Sequence, residues 1–214
     1  MIKLVSEIFA DIGYLLLLIN CILLGKNILK KAKPYKVFFA YNLTMFIIQM
    51  TSKVLFTLKM NNLFLSHFYF VFQFLLLSYF YYVLLEVQFQ RKIIRIALPT
   101  TLLLLSIHYA IEPELFFAFN LFEVFISTLP IVVFAVFHLY NLLNKEHNFY
   151  YTTIGLLIYL YGSTFLFLSY DLIMIVGDKQ TGKYTWFFNI CLYVVYQLFI
   201  LKDLLKQREN GIRT

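Results

Sequence analysis

Eight polar side chains stand inside otherwise apolar stretches of this chain: Asp11, Lys53, Gln73, His108, Asn120, Glu123, Asp171 and Asn189. Carboxylates and an imidazole can take up and release protons. A lysine can hold an anion, and the three amides can orient whatever is bound. In hydrocarbon an ionisable group is costly, so it marks a site or has a partner. Lys53 is therefore expected to meet Glu123 or Asp171. His67 stands at the mouth of its helix, where polarity costs little.

Helical arithmetic places several of these groups on common faces. Asn120, Glu123 and Ser127 recur at i, i+3 and i+7, and Asn42, Gln49 and Lys53 at i, i+7 and i+11. Ser163, Tyr170 and, less well aligned, Asp171 lie along one side of a third segment. A polar stripe of this kind is expected to face an interior and not lipid. Gln73 and Asn189 also suit interhelical hydrogen bonds.

The elements that must carry these residues are membrane-length helices. About 20 residues are needed to cross a hydrocarbon core of ~30 Å. Seven segments reach that length, at 8–27, 35–58, 66–86, 93–111, 115–142, 150–176 and 184–204. The expected fold class is thus an all-α integral membrane bundle of seven transmembrane helices, one domain over residues 1–214. Short polar breaks separate the helices. Pro113 in Glu112-Pro113-Glu114 disfavours helix at Glu112, and Pro99 and Pro130 are expected to kink the helices that hold them. Residues 8–27 are read as a retained helix, because the main positive run follows the apolar stretch.

Composition supports the same class. Hydrophobic types make up 62% of the 214 residues and charged types 14%, against about 25% charged in soluble domains. Mean hydropathy is +0.79. Cys21 and Cys191 both fall in apolar runs and are expected to be small buried residues. The abundance of Lys, Ile, Phe, Tyr and Asn suggests a bacterial source.

Orientation follows from Lys and Arg, which stay on the cytoplasmic side. One set of alternate loops and ends holds Lys26, Lys30, Lys31, Lys33, Lys36, Arg91, Lys92, Arg95, Lys145, Lys202, Lys206, Arg208 and Arg213. The other holds only Lys3, Lys59, Lys179 and Lys183. The N-terminus is therefore expected outside and the C-terminus in the cytoplasm, across a bacterial inner membrane. With that orientation the eight polar groups fall in the outer half of their helices, at depths of roughly 4–12 Å for a rise of 1.5 Å per residue. The net charge of +7 is a topology signal. It is spread over several loops and gives no nucleic-acid footprint.

Familiar chemistries lack their motifs. A retinal Schiff base needs a mid-helix lysine, and the last helix has Lys202 only at its end. No Pro-Gln pair occurs, and no GxSxG, HExxH, GxGD or P-loop signature. No cofactor and no metal site is expected. What remains is a sensor or receptor-like module. Its outward-facing polar cavity would take a small ligand or ion through Asp11, Lys53, Gln73, His108, Asn120, Glu123, Asp171 and Asn189. Its output would pass to a separate cytoplasmic signalling protein. A transporter or channel subunit, or a lipid-modifying membrane enzyme, are the alternatives.

The topology is directly testable. Cysteine-accessibility labelling should place residues 30–34 and 206–214 inside and 60–64 and 178–182 outside. Labelling of positions 31 and 62 from the same side would contradict it.

Overall fold

Inside hydrocarbon every backbone N–H and C=O must be satisfied within the chain, which restricts spanning structures to helices and closed barrels. This chain uses helices. The computed structural model describes the backbone of residues 2–143, 148–176 and 179–212, and the side chains of 4–143, 148–170 and 182–207. Among the described residues there are seven α-helices and no strand. They are α1 (Ile2–Gly25), α2 (Lys33–Thr57), α3 (Phe64–Leu84), α4 (Gln88–Ile111), α5 (Leu121–Leu142), α6 (Tyr150–Val176) and α7 (Lys179–Ile212). One-turn 3-10 segments stand at Ile28–Lys30 and Pro113–Phe117.

Six of the helices, all but α2, are long and apolar enough to cross a membrane. The length of α2 suffices, but Asn42, Gln49, Ser52 and Lys53 dilute its apolar run. Large apolar side chains are exposed on many helices, among them Ile22, Phe56, Phe89, Leu103, Tyr161 and Trp186. Apolar surface on this scale belongs against lipid tails, since soluble monomers rarely expose such extensive patches. The chain is thus a multi-pass membrane protein.

The helices group into two compact units. One comprises residues 1–26 and 142–214, the other residues 27–141. In the first, α7 packs against both α1 and α6. Close approach is possible because glycines face the partner helix. A Cβ at Gly155 would lie 2.5 Å from Phe199 Cβ, and one at Gly162 would lie 2.7 Å from Leu192 Cδ1. Polar contacts fix the register. Asn20 Nδ2 of α1 donates to the carbonyl oxygen and to Oε1 of Gln197 on α7, at 3.0 and 2.9 Å. The Thr152 N–H in the first turn of α6 donates to Asp203 Oδ2 of α7 at 2.8 Å. A carboxylate there meets the positive end of a helix.

The second unit holds α2, α3, α4 and nearly all of α5. Its core is aromatic: Phe38, Phe74, Phe80 and Tyr81 are fully buried, with Phe38 and Phe80 ring centroids 5.1 Å apart. Gln90 and Asn141 exchange two amide hydrogen bonds of 3.2 and 2.8 Å, tying the start of α4 to the end of α5. Pro99 and Pro130 lie inside α4 and α5, which continue through them.

The start of α5 departs from the sequence expectation. The helix begins at Leu121 and not near residue 115. Pro113 opens a 3-10 turn, Ala118 is extended, and Asn120 caps the helix by accepting the Glu123 N–H at 3.3 Å. Asparagine favours this position because its side chain satisfies a free first-turn donor. Asn120 therefore precedes the helix, and Glu123 stands in its first turn, not eight residues deep.

The glycine contacts lead to a stability prediction. Gly155→Val should cost about 1–3 kcal/mol, as overpacking does, measured by thermal unfolding in detergent. An unchanged midpoint would show that α6 and α7 do not approach this closely.

Candidate functional site

Glu123 is the most deeply buried acid among the described residues, with 0% of its surface exposed. Burial without partners would be costly, and three elements supply them. From the first turn of α3, His67 Nδ1 lies 2.5 Å from Glu123 Oε2. From the end of α4, the Tyr109 hydroxyl donates to the same oxygen at 2.8 Å and lies 2.7 Å from His67 Nδ1. The residue before α5, Asn120, donates its amide to the Tyr109 hydroxyl at 3.2 Å. Ser127 Oγ donates to the Glu123 carbonyl oxygen at 2.6 Å. The cluster thus joins α3, α4 and α5 through side chains.

Aromatic rings enclose it. Phe116, from the 3-10 turn, stacks on the His67 imidazole with centroids 5.1 Å apart and planes 22° apart. Tyr109 meets the same imidazole edge-on at 5.3 Å. His108 packs against Phe122 at 4.6 Å and against Tyr109 at 5.8 Å. His67 is 4% exposed.

The chemistry follows from counting protons. Nδ1 of His67, Oε2 of Glu123 and the Tyr109 hydroxyl lie within 2.5–2.8 Å of one another. Tyr109 brings one proton. A second must lie between His67 and Glu123, on one or the other, because two lone pairs at hydrogen-bond distance repel. The pair is therefore a hydrogen-bonded acid and base. Glu123 Oε1 and His67 Nε2 are buried without hydrogen-bond partners among the described residues, as are Gln73 Oε1 and His108 Nε2. These atoms retain capacity to bind a polar group. Among the described residues, no three His, Cys, Asp or Glu side chains converge as a metal site would need.

The eight residues singled out in the sequence divide. Asn120 and Glu123 belong to the cluster, and His108 packs beside it. Gln73 is buried in the same unit, outside these hydrogen bonds. Lys53 is exposed on α2. Glu123 bonds to His67 and Tyr109 in a His–Tyr–Glu arrangement, and of the two partners expected for Lys53 the other, Asp171, has its side chain outside the described residues. The polar stripe of α2 leaves the core as it runs: Asn42 is buried, with Nδ2 donating to the Phe38 carbonyl at 2.8 Å, whereas Lys53 is not. Asp11, exposed on α1, and Asn189, half-buried on α7, belong to the other unit. The Asp171 side chain lies outside the described residues.

Sequence reasoning missed His67, Tyr109 and Phe116 as members of one site. His67 and Glu123 are 56 positions apart, and Tyr109 is 42 from His67; no local spacing links them. One signal was readable: Asn120-Leu-Phe-Glu123 has the capping-box spacing. Here the glutamate turns to His67 and Tyr109 in place of closing the box.

No protein-family model matches the chain, and no curated protein or solved structure matches it either.

Proposed function

We propose that this chain is a membrane sensor or receptor-like module, with the His67–Tyr109–Glu123 cluster as its receiving site. The observation that carries this reading is a fully buried carboxylate held by side chains from two other helices, with one oxygen still open. Such a site responds to a proton, an ion or a small polar ligand, because each changes the charge that the surrounding hydrogen bonds must balance. The stimulus enters from outside, in keeping with the loop-charge bias. In this reading all seven helices cross a bacterial inner membrane, α2 included, with the N-terminus outside and the C-terminus in the cytoplasm.

The relay is the antiparallel pair α4 and α5. Tyr109 and Glu123 link the two helices at one end, and Gln90 and Asn141 link them at the other. At 1.5 Å per residue the two linkages stand roughly 28 Å apart along the helices. A change of charge at the first shifts the helices, and the amide pair at the second reports it to a separate cytoplasmic protein. The acid–base character of the cluster is also what a lipid-modifying enzyme would need, but its Ser127 hydroxyl is committed to the Glu123 carbonyl oxygen. For a transporter or channel, the enclosing rings of Phe116 and Tyr109 would have to move aside.

The coupling is testable without knowing the stimulus. Spin labels at positions 89 and 140, both exposed, report the far-end separation of α4 and α5 in nanodiscs. Glu123→Gln, which removes the charge at the receiving end, should shift that separation by on the order of 1–2 Å. An unchanged distance distribution, in a variant that remains folded, would remove the sensor reading.

A further inference from the structure

A second polar constellation lies near the C-terminal end of α7. Lys202 and Lys206 are one turn apart, and both ammonium groups reach the same ring, Tyr151 of α6. Lys202 Nζ lies 4.0 Å from the ring centroid and Lys206 Nζ 5.2 Å from it. Like charges at i and i+4 repel. The ring attracts both cations, but it carries no net charge to offset them.

Neither lysine forms an ion pair among the described residues. The nearest acid in sequence, Asp203, is 3% exposed, and its Oδ2 accepts the Thr152 N–H. It attracts Lys206 electrostatically but is held on the buried side of α7. Two exposed cations are thus gathered over one ring, where a single anion could meet both.

What adjoins them is apolar. Leu198, Leu201 and Leu205 share one open face of α7 with Lys202 and Lys206. The leucines recur at i, i+3 and i+7, one face of the helix, and Leu198 and Leu205 are nearly half exposed. A positive head above an apolar stripe, at the end of a membrane-length helix, matches an amphiphile with an anionic headgroup. A free anion would use the lysines and leave the stripe bare. A zwitterionic lipid would bring a cation to a site that already has two.

We propose that this face of α7 is a binding site for an anionic phospholipid, its phosphate between Lys202 and Lys206 and an acyl chain along Leu198, Leu201 and Leu205. Tyr151 pre-positions both ammonium groups, so little side-chain freedom is lost on binding. Basic residues near a membrane surface each add to the attraction for anionic lipid. The site tethers the α6–α7 pair to the leaflet that carries such lipid, and it stands independently of the sensor reading.

Native mass spectrometry of the full chain, titrated with phosphatidylglycerol or phosphatidylcholine, tests this. The wild type should retain one phosphatidylglycerol more tightly than phosphatidylcholine, and millimolar inorganic phosphate should not displace it. Lys202→Gln/Lys206→Gln should weaken that adduct about tenfold or more, whereas Lys202→Arg/Lys206→Arg and a control Lys30→Gln/Lys31→Gln should keep it. Equal retention of the two lipids overturns the proposal. So does a folded double-glutamine variant that holds phosphatidylglycerol as the wild type does, or displacement by free phosphate. If the double-glutamine variant does not fold, Tyr151→Leu serves in its place and should weaken the same adduct.

Discussion

A carboxylate away from water must be matched by donors, and the four-helix unit is arranged around that requirement at Glu123. Its backbone N–H is satisfied by Asn120 and its side chain by His67 and Tyr109. Removing one donor would leave the others facing an unbalanced charge, and such losses exceed the value of the bond itself. This is why the cluster clamps α3, α4 and α5 together, and why the proposed reception is placed there. The aromatic enclosure sharpens both roles, since electrostatic effects grow as water is excluded.

The other unit is held differently. Its helices approach through glycines and through the neutral amide pair Asn20–Gln197, and its buried carboxylate, Asp203, accepts the Thr152 N–H at a helix terminus. The proposed reception thus falls in the four-helix unit and the proposed anchorage, through Tyr151, Lys202 and Lys206, in the other.

The helices were legible in the sequence because length and apolarity are local properties; the ends of α6 at residues 150 and 176 agree with the sequence reading. The start of α5 was not, because Phe116 and Phe117 continue the apolar run while Pro113 and Asn120 break the helix. Glu123 stood out as a short acid in an apolar stretch, which is a property of one position. Its partners did not, since pairing depends on which helix faces which. Lys53 had the right charge on a helix whose last turns are largely exposed. His67 had the right place on α3 but looked like a headgroup histidine. Asp203 was overlooked because it ends an apolar run, where a charge needs no special explanation.

The central claim is that His67 and Glu123 act as one unit. A double-mutant cycle with His67→Leu, Glu123→Leu and the double variant, read by reversible unfolding in detergent, measures this directly. The account predicts that the two losses are not additive, with a coupling of about 1–3 kcal/mol, because either single variant strands the remaining partner in an apolar site. Losses that simply add would mean that His67 and Glu123 are neighbours without a shared proton, and the cluster would lose its standing as a receiving site.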